Sequence, residues 1–157
     1  DFSQFANISY TNMEEFDLHE VVRSLQELYR SDENIEFIWR PLPYRIIINA
    51  DKTQMNRLFT NLFANAVEAC EGRLCRIEVS EQMMEGRIRI SIRDNGEGIP
   101  KETQSRIFMP NFTTKSSGTG LGLAMCKGIV EQVKGKIWFE TKKGNGTTFH
   151  VELPLVD

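Results

Sequence analysis

The sequence predicts an α+β sandwich, one mixed or antiparallel sheet under a layer of helices. Three observations support this. The apolar residues switch between helical and alternating periods along the chain. The elements run helix, two strands, helix, two strands, loop, helix, two strands, which lacks the strict β-α-β alternation of a doubly wound sheet. The 157 residues, 40% hydrophobic and 26% charged, suit a single domain that can bury a core without disulfide or metal staples.

Each element has its own signal. Residues 1–16 lack a sustained period and read as a lead-in, with the domain running from 17 to 157. Asp17 with Glu20 resembles a capping box, followed by Leu18, Val21, Val22, Leu25, Leu28 and Tyr29 at helical spacing. Strands are expected around Ile35–Trp39 and Ile46–Asn49, separated by Pro41 and Pro43. Asp51 and Gln54 open a second helix, whose apolar stripe runs from Met55 to Cys70. Residues 73–80 and 87–94 predict a hairpin turning near Glu85-Gly86. Residues 99–118 read as irregular, 119–134 as a helix, and 136–140 and 147–153 as strands around the turn at 142–146.

Composition excludes several classes of function. The net charge is −3, from 19 basic and 22 acidic side chains well mixed along the chain, so no basic face points to a nucleic-acid partner. No apolar run reaches the roughly 18 residues a spanning helix needs. The chain opens at Asp1 without a signal-peptide pattern, which predicts a cytosolic protein or a piece of something longer. Three cysteines, Cys70, Cys75 and Cys126, without C-x-x-C spacing argue against a disulfide scaffold or zinc ribbon and for a reducing compartment. The sequons at Asn7, Asn111 and Asn145 are read as chance.

The chemistry-bearing residues form three groups. Nine of the eleven glycines follow residue 95. Gly118-Thr119-Gly120-Leu121-Gly122-Leu123 runs into a helix, where unobstructed N–H groups form an anion site suited to phosphates; a flexible loop is the alternative. No G-K-[ST] occurs, so this is not a Walker A loop. Asp94-Asn95-Gly96-Glu97-Gly98-Ile99-Pro100 ends a strand whose Ile88, Ile90 and Ile92 share the parity of Asp94. A carboxylate beside an apolar surface needs donors, such as an aminopurine's exocyclic nitrogen; a turn-capping aspartate is the alternative. Gln54, Asn61, Asn65 and Glu68 fall on one side of the second helix. Their amides are hard ligands suited to Mg²⁺, or else a solvated polar face. His19 reads as a surface histidine, and nothing nearby in sequence orients His150.

In this order, Asn61-x-x-x-Asn65-Ala66, Asp94-x-Gly96-x-Gly98, Phe108 with Phe112, and the glycine run 118–122 resemble the N, G1, F and G2 boxes of the catalytic ATP-binding domain of bacterial sensor histidine kinases. Gly144-Asn145-Gly146-Thr147-Thr148-Phe149 resembles the trailing G-x-G-T box. The resemblance spans about residues 17–155. It implies a Bergerat-type sandwich of about five strands backed by three helices, binding ATP and Mg²⁺. Asp94 would receive the adenine amino group in a pocket shaped by Gly96, Gly98 and Ile99, with Thr148 on its floor. Asn65 would ligate Mg²⁺, and Asn61 would support the phosphate–metal end as a catalytic residue. Gly118, Thr119, Gly120, Leu121, Gly122 and Leu123 would face the phosphates. Residues 106–117 would form an ATP lid in which Phe108 and Phe112 dock or release, Thr114 meets the nucleotide, and Lys115 neutralises phosphate charge.

The resemblance also separates relatives. Gyrase and mismatch-repair ATPases carry a water-activating glutamate at the position of Asn61, so an amide there implies transfer to a protein acceptor rather than autonomous hydrolysis. Asn65-Ala66-Val67-Glu68-Ala69 is similar to the nitrogen-sensing branch. The implied partners are a dimerisation and histidine-phosphotransfer domain, whose tail residues 1–6 resemble, and a response regulator. The implied parent is a homodimer anchored in the cytoplasmic membrane. An anti-sigma-type serine kinase and a nucleotide-binding module without transfer activity are the rival readings.

Overall fold

The computed structural model describes residues 12–110 and 122–156. Its layers follow from the apolar periodicities. In β4 (Cys75–Met84), Cys75, Ile77 and Val79 are buried and alternate with exposed or half-buried neighbours. In β5 (Arg87–Arg93), Ile88, Ile90 and Ile92 are buried, and in β7 (Thr147–Pro154) Phe149, Val151 and Leu153 are. These side chains share one sheet face because strand residues two apart point the same way. With β2 (Ile35–Trp39) and β6 (Lys136–Thr141) they form a five-stranded sheet of order β2-β4-β5-β7-β6. The sheet is mixed: β2 runs parallel to β4, and the other neighbours are antiparallel. The hairpin turns at Glu85-Gly86, where Met84 pairs with Arg87.

Among the described residues, three α-helices cover the apolar face. α1 (His19–Tyr29) buries Val21, Val22 and Leu25. α2 (Lys52–Ala69) buries Met55, Leu58, Phe59, Leu62, Phe63 and Ala66, and α3 (Gly122–Gln132) buries Ala124, Cys126, Ile129 and Val130. Asp51 caps α2: its Oδ1 accepts from the backbone N–H groups of Thr53 and Gln54, at 2.9 and 3.2 Å. Within the stretch expected to be irregular, Lys101–Arg106 form a 3-10 turn. The expected α+β sandwich, with a five-stranded mixed sheet, is present.

Two details differ from expectation at the N-terminal side. Met13–Asp17 is a strand, β1, paired antiparallel with β3 (Ile47–Asp51), so residues 13–16 belong to the folded unit rather than to a lead-in. Asp17 ends that strand and α1 begins at His19; the Asp17 carboxylate accepts from the N–H groups of His19 and Ile46 at 3.0 and 3.1 Å, tying β1 to β3. Alternation in β1 is too short to register, because Phe16 is its one fully buried residue.

The cysteines also depart from expectation. Cys70 and Cys75 are paired in a disulfide with a Cα–Cα distance of 5.5 Å, and Cys126 is a buried free thiol. Spacing alone did not reveal the pair, because the turn after α2 is what folds Cys75 back on Cys70.

Candidate functional site

Asp94 continues the inward parity of the β5 isoleucines and is 4% exposed. Its Oδ1 accepts from the N–H groups of Gly96 (2.9 Å) and Thr147 (3.2 Å), while Oδ2 receives no hydrogen bond from the described residues. Burial pushes the carboxyl above its usual range, and the two backbone donors partly offset that. A carboxylate oxygen that no described residue donates to can accept a ligand's N–H.

The loop after Asp94 is clamped on two sides. A Cβ on Gly96 would lie 2.5 Å from the carbonyl oxygen of Ala69, so only glycine lets the loop lie on the end of α2. Gly98 has φ +85° and faces the backbone of Lys142 across the β6–β7 turn. There Gly144 N–H donates to the Glu97 carbonyl at 2.6 Å, and Ile99 N–H donates to Thr141 Oγ1 at 2.9 Å. Ile99 itself packs partly buried on the core. The loop carrying Asp94, Gly96, Gly98 and Ile99 is thus held from both sides by backbone contacts.

α2 joins this wall to the start of α3. Ala69 lies under Gly96, and Asn61, roughly 12 Å back along the helix at 1.5 Å per residue, meets Gly122. Asn61 Nδ2 donates to the Arg57 carbonyl at 2.8 Å, and its Oδ1 lies 3.2 Å from where a Gly122 Cβ would be. The Asn61 acceptor oxygen is therefore beside the N-terminal end of α3, where backbone N–H groups favour anions. Asn65 is half-buried one turn further along α2. Leu123 packs, partly buried, against the core. Gln54, grouped with the asparagines by spacing, is instead buried at 7% exposure.

Two expectations, for Thr148 and His19, are corrected. Thr148 sits with His150 and Glu152 on the opposite sheet face from Asp94. Its neighbour Thr147, 4% exposed, is the residue that bonds Asp94, and its hydroxyl meets Thr141 Oγ1 at 2.8 Å. Parity with Phe149 and Val151 was the available signal for Thr147. Phe108 is docked against Phe139 and Phe149, with ring centroids 6.0 and 6.3 Å apart, which is one of the two states expected of it. His19 is no surface histidine: it is 4% exposed, with Nε2 2.8 Å from the fully buried Glu81 carboxylate. Phe112, Thr114, Lys115, Gly118, Thr119, Gly120 and Leu121 lie outside the described residues.

The other face of the sheet carries a separate polar network. His150 is oriented by tertiary pairing, with Nδ1 2.7 Å from Ser91 Oγ and Nε2 2.6 Å from Glu140. Serine, histidine and carboxylate in line suggest an acyl-transfer relay, but they sit on the outer strand surface with Glu140 75% exposed, outside any enclosed site among the described residues. A cavity of about 220 Å³ on this side is lined by Arg76, Glu78, Arg93, Asp94, Asn95 and Asn145, without Asn61 or Asn65. Among the described residues no cluster of three or more His, Cys, Asp or Glu side chains could hold a metal, and no helix is long and apolar enough to cross a membrane.

The family model described as histidine kinase-, DNA gyrase B- and HSP90-like ATPase matches residues 50–157, more than half the chain. The chain belongs to this ATPase family. Within it, the fold is that of a histidine kinase catalytic domain: the nucleotide-free catalytic domain of histidine kinase ThkA superposes with a TM-score of 0.82 at 35% identity, covering 92% of this chain and 96% of that one. ThkA in complex with the response regulator TrrA matches with a TM-score of 0.77 at 33% identity, over 92% of this chain and 42% of ThkA. Full-length ShkA in complex with AMPPNP matches with a TM-score of 0.79 at 27% identity, over 98% of this chain and 34% of ShkA. The sensor histidine kinase ZraS of Klebsiella oxytoca is 36% identical over 154 residues, 96% of this chain. The chain spans 32% of ZraS. The matching family is described as one of ATPases, and the relatives named here are histidine kinases.

Proposed function

We propose that this chain is the catalytic part of a two-component sensor kinase, transferring the γ-phosphoryl of Mg²⁺-ATP to a histidine on a dimerisation domain not contained in these 157 residues. The observation that carries the proposal is the single line along α2, from Gly122 and Asn61 at one end to Gly96 and Asp94 Oδ2, which no described residue donates to, at the other. Its length suits a purine at Asp94 with phosphates at the α3 N-terminus.

Each residue has a role in this reading. Asp94 Oδ2 accepts the adenine amino group, and Gly96, Gly98 and Ile99 form the wall against the ring, braced by Thr147. Asn61 and Asn65 present amide oxygens toward the phosphate end. The donor set fits Mg²⁺, a hard cation that keeps waters and leans on substrate phosphates rather than on a protein cage. When bound, the cation neutralises phosphate charge. Lys115, Thr114, the glycine run 118–122 and Leu123 complete the phosphate side. The Asn61 amide cannot take a proton from water, so the site orients the γ-phosphoryl for an incoming acceptor.

The parent in this reading is a homodimer anchored in a membrane and acting on a response regulator, with the folded unit starting at β1. The Asn65-Ala66-Val67-Glu68-Ala69 run supports a nitrogen-sensing-like branch. The test is the chain joined to its upstream helices, with γ-labelled ATP and Mg²⁺. Acid-labile phosphohistidine is the expected product; acid-stable phosphoserine on a partner, or tight nucleotide binding without label, would overturn the transfer assignment. Asn65→Ala should depress Mg²⁺-dependent affinity far more than metal-free affinity in a calorimetric titration, and equal losses would remove Asn65 from the metal end.

A further inference from the structure

The Cys70–Cys75 disulfide lies where it is least needed for stability. It closes a loop five residues apart in sequence, so it removes little chain entropy, and it serves a domain with an extensive core of its own. Its position is more informative. Both cysteines are 2% exposed, beneath a surface turn in which Glu71 and Gly72 both have positive φ and Leu74 is 62% exposed.

That turn supports the loop after Asp94. The Asn95 side chain links the two: Oδ1 accepts from Arg76 N–H at 2.8 Å and lies 3.3 Å from Cys70 Sγ, while Nδ2 donates to the Leu74 carbonyl at 3.3 Å. The adjoining Glu97 N–H donates to the Ala69 carbonyl at 3.4 Å, and Gly96 rests on the same carbonyl. These contacts fall on Cys70 and Leu74, within the segment that the disulfide closes, and on Ala69 and Arg76, the residues directly flanking it.

We propose that Cys70 and Cys75 are a reversible thiol–disulfide modification site that couples redox state to the rigidity of the Asp94–Gly98 loop. The coupling to nucleotide rests on the reading of that loop as the purine wall. The co-substrate is a low-molecular-weight disulfide. One protein thiolate attacks it, forming a mixed disulfide and releasing one thiolate; the second cysteine then attacks the mixed disulfide and releases another. The two protons leaving the cysteines are taken by the two released thiolates, so two protein thiols become one disulfide and one small disulfide becomes two thiols. Opening of the exposed 71–74 turn admits the reagent. The closed turn holds the loop in its binding geometry, and reduction lets it sample others. Cys126 takes no part: burial pushes its thiol up to about 12, so it stays protonated.

The test equilibrates the protein in glutathione buffers from reduced to oxidised, then measures intact mass after alkylation, ADP-Mg²⁺ affinity by calorimetry, and amide exchange of residues 94–98. We expect reversible loss of two hydrogens, slower exchange in the oxidised form, and ADP binding about three- to tenfold tighter when oxidised. Cys75→Ser should bind ADP at the reduced level in every buffer. Failure of the disulfide to form, or identical exchange and affinity in both states, overturns the proposal. Redox-dependent exchange without ADP binding in either state supports the redox site and overturns the purine reading instead.

Discussion

Asp94→Asn separates the role of the carboxylate in the fold from its role at the ligand. In the folded chain Oδ1 takes both backbone donors, Gly96 and Thr147 N–H. An asparagine can keep its carbonyl oxygen on those two groups and place its NH₂ where Oδ2 stood. The fold is then retained, but the purine's amino group meets a donor instead of an anionic acceptor. Hydrogen bonds to charged groups contribute about 1.5–3 kcal/mol. Nucleotide affinity should therefore fall roughly 10- to 150-fold. Calorimetry of ATP analogues on wild type and variant checks the number.

Stability provides the control and its sign follows from burial. Burial raises the Asp94 carboxyl above its usual 3.8, so the folded state holds its proton more tightly than the unfolded chain. Such a carboxyl contributes stability while protonated, and that contribution is lost as pH rises from 3.8 through the raised folded value. Asp94→Asn has no proton to lose. Its Tm relative to wild type should therefore improve between acid and neutral pH. An affinity within threefold of wild type, or a Tm that falls instead, would refute the reasoning.

Three further outcomes are expected. Gly96→Ala forces a methyl against the Ala69 carbonyl, 2.5 Å away, and should cost about 1–3 kcal/mol in urea unfolding as well as weakening nucleotide binding. Thr147→Val removes the hydroxyl that meets Thr141 and should cost about 0.5–1.5 kcal/mol, whereas Thr148→Val on the outer face should stay within about 0.5 kcal/mol and leave nucleotide affinity unchanged in the same titration. Glu81→Ala strips a buried acceptor from His19 Nε2, Trp39 Nε1 and Leu42 N–H together, and denaturant unfolding should register a loss of about 3 kcal/mol or more.

Particular residues explain which parts of the site were legible. The isoleucines of β5 alternate so strictly that Asp94 could be assigned to the inner face from sequence, and the capping of α2 by Asp51 is a contact between residues two and three apart. Thr147 and Thr148 are chemically alike and adjacent, so a motif could not choose between them; strand parity against Phe149 does. The roles of His19 and His150 depend on Glu81 and Ser91, 62 and 59 residues away, which no local pattern encodes.

Local periodicity and turn chemistry thus determined the elements and the inward carboxylate, because those are set by interactions over a few residues. Tertiary structure alone decided the strand made by residues 13–17 and the meeting of Asn61 with Gly122. Each of these requires two segments to be brought together by burial of the shared core, and a non-directional driving force leaves no residue-level signature of which partners it will join.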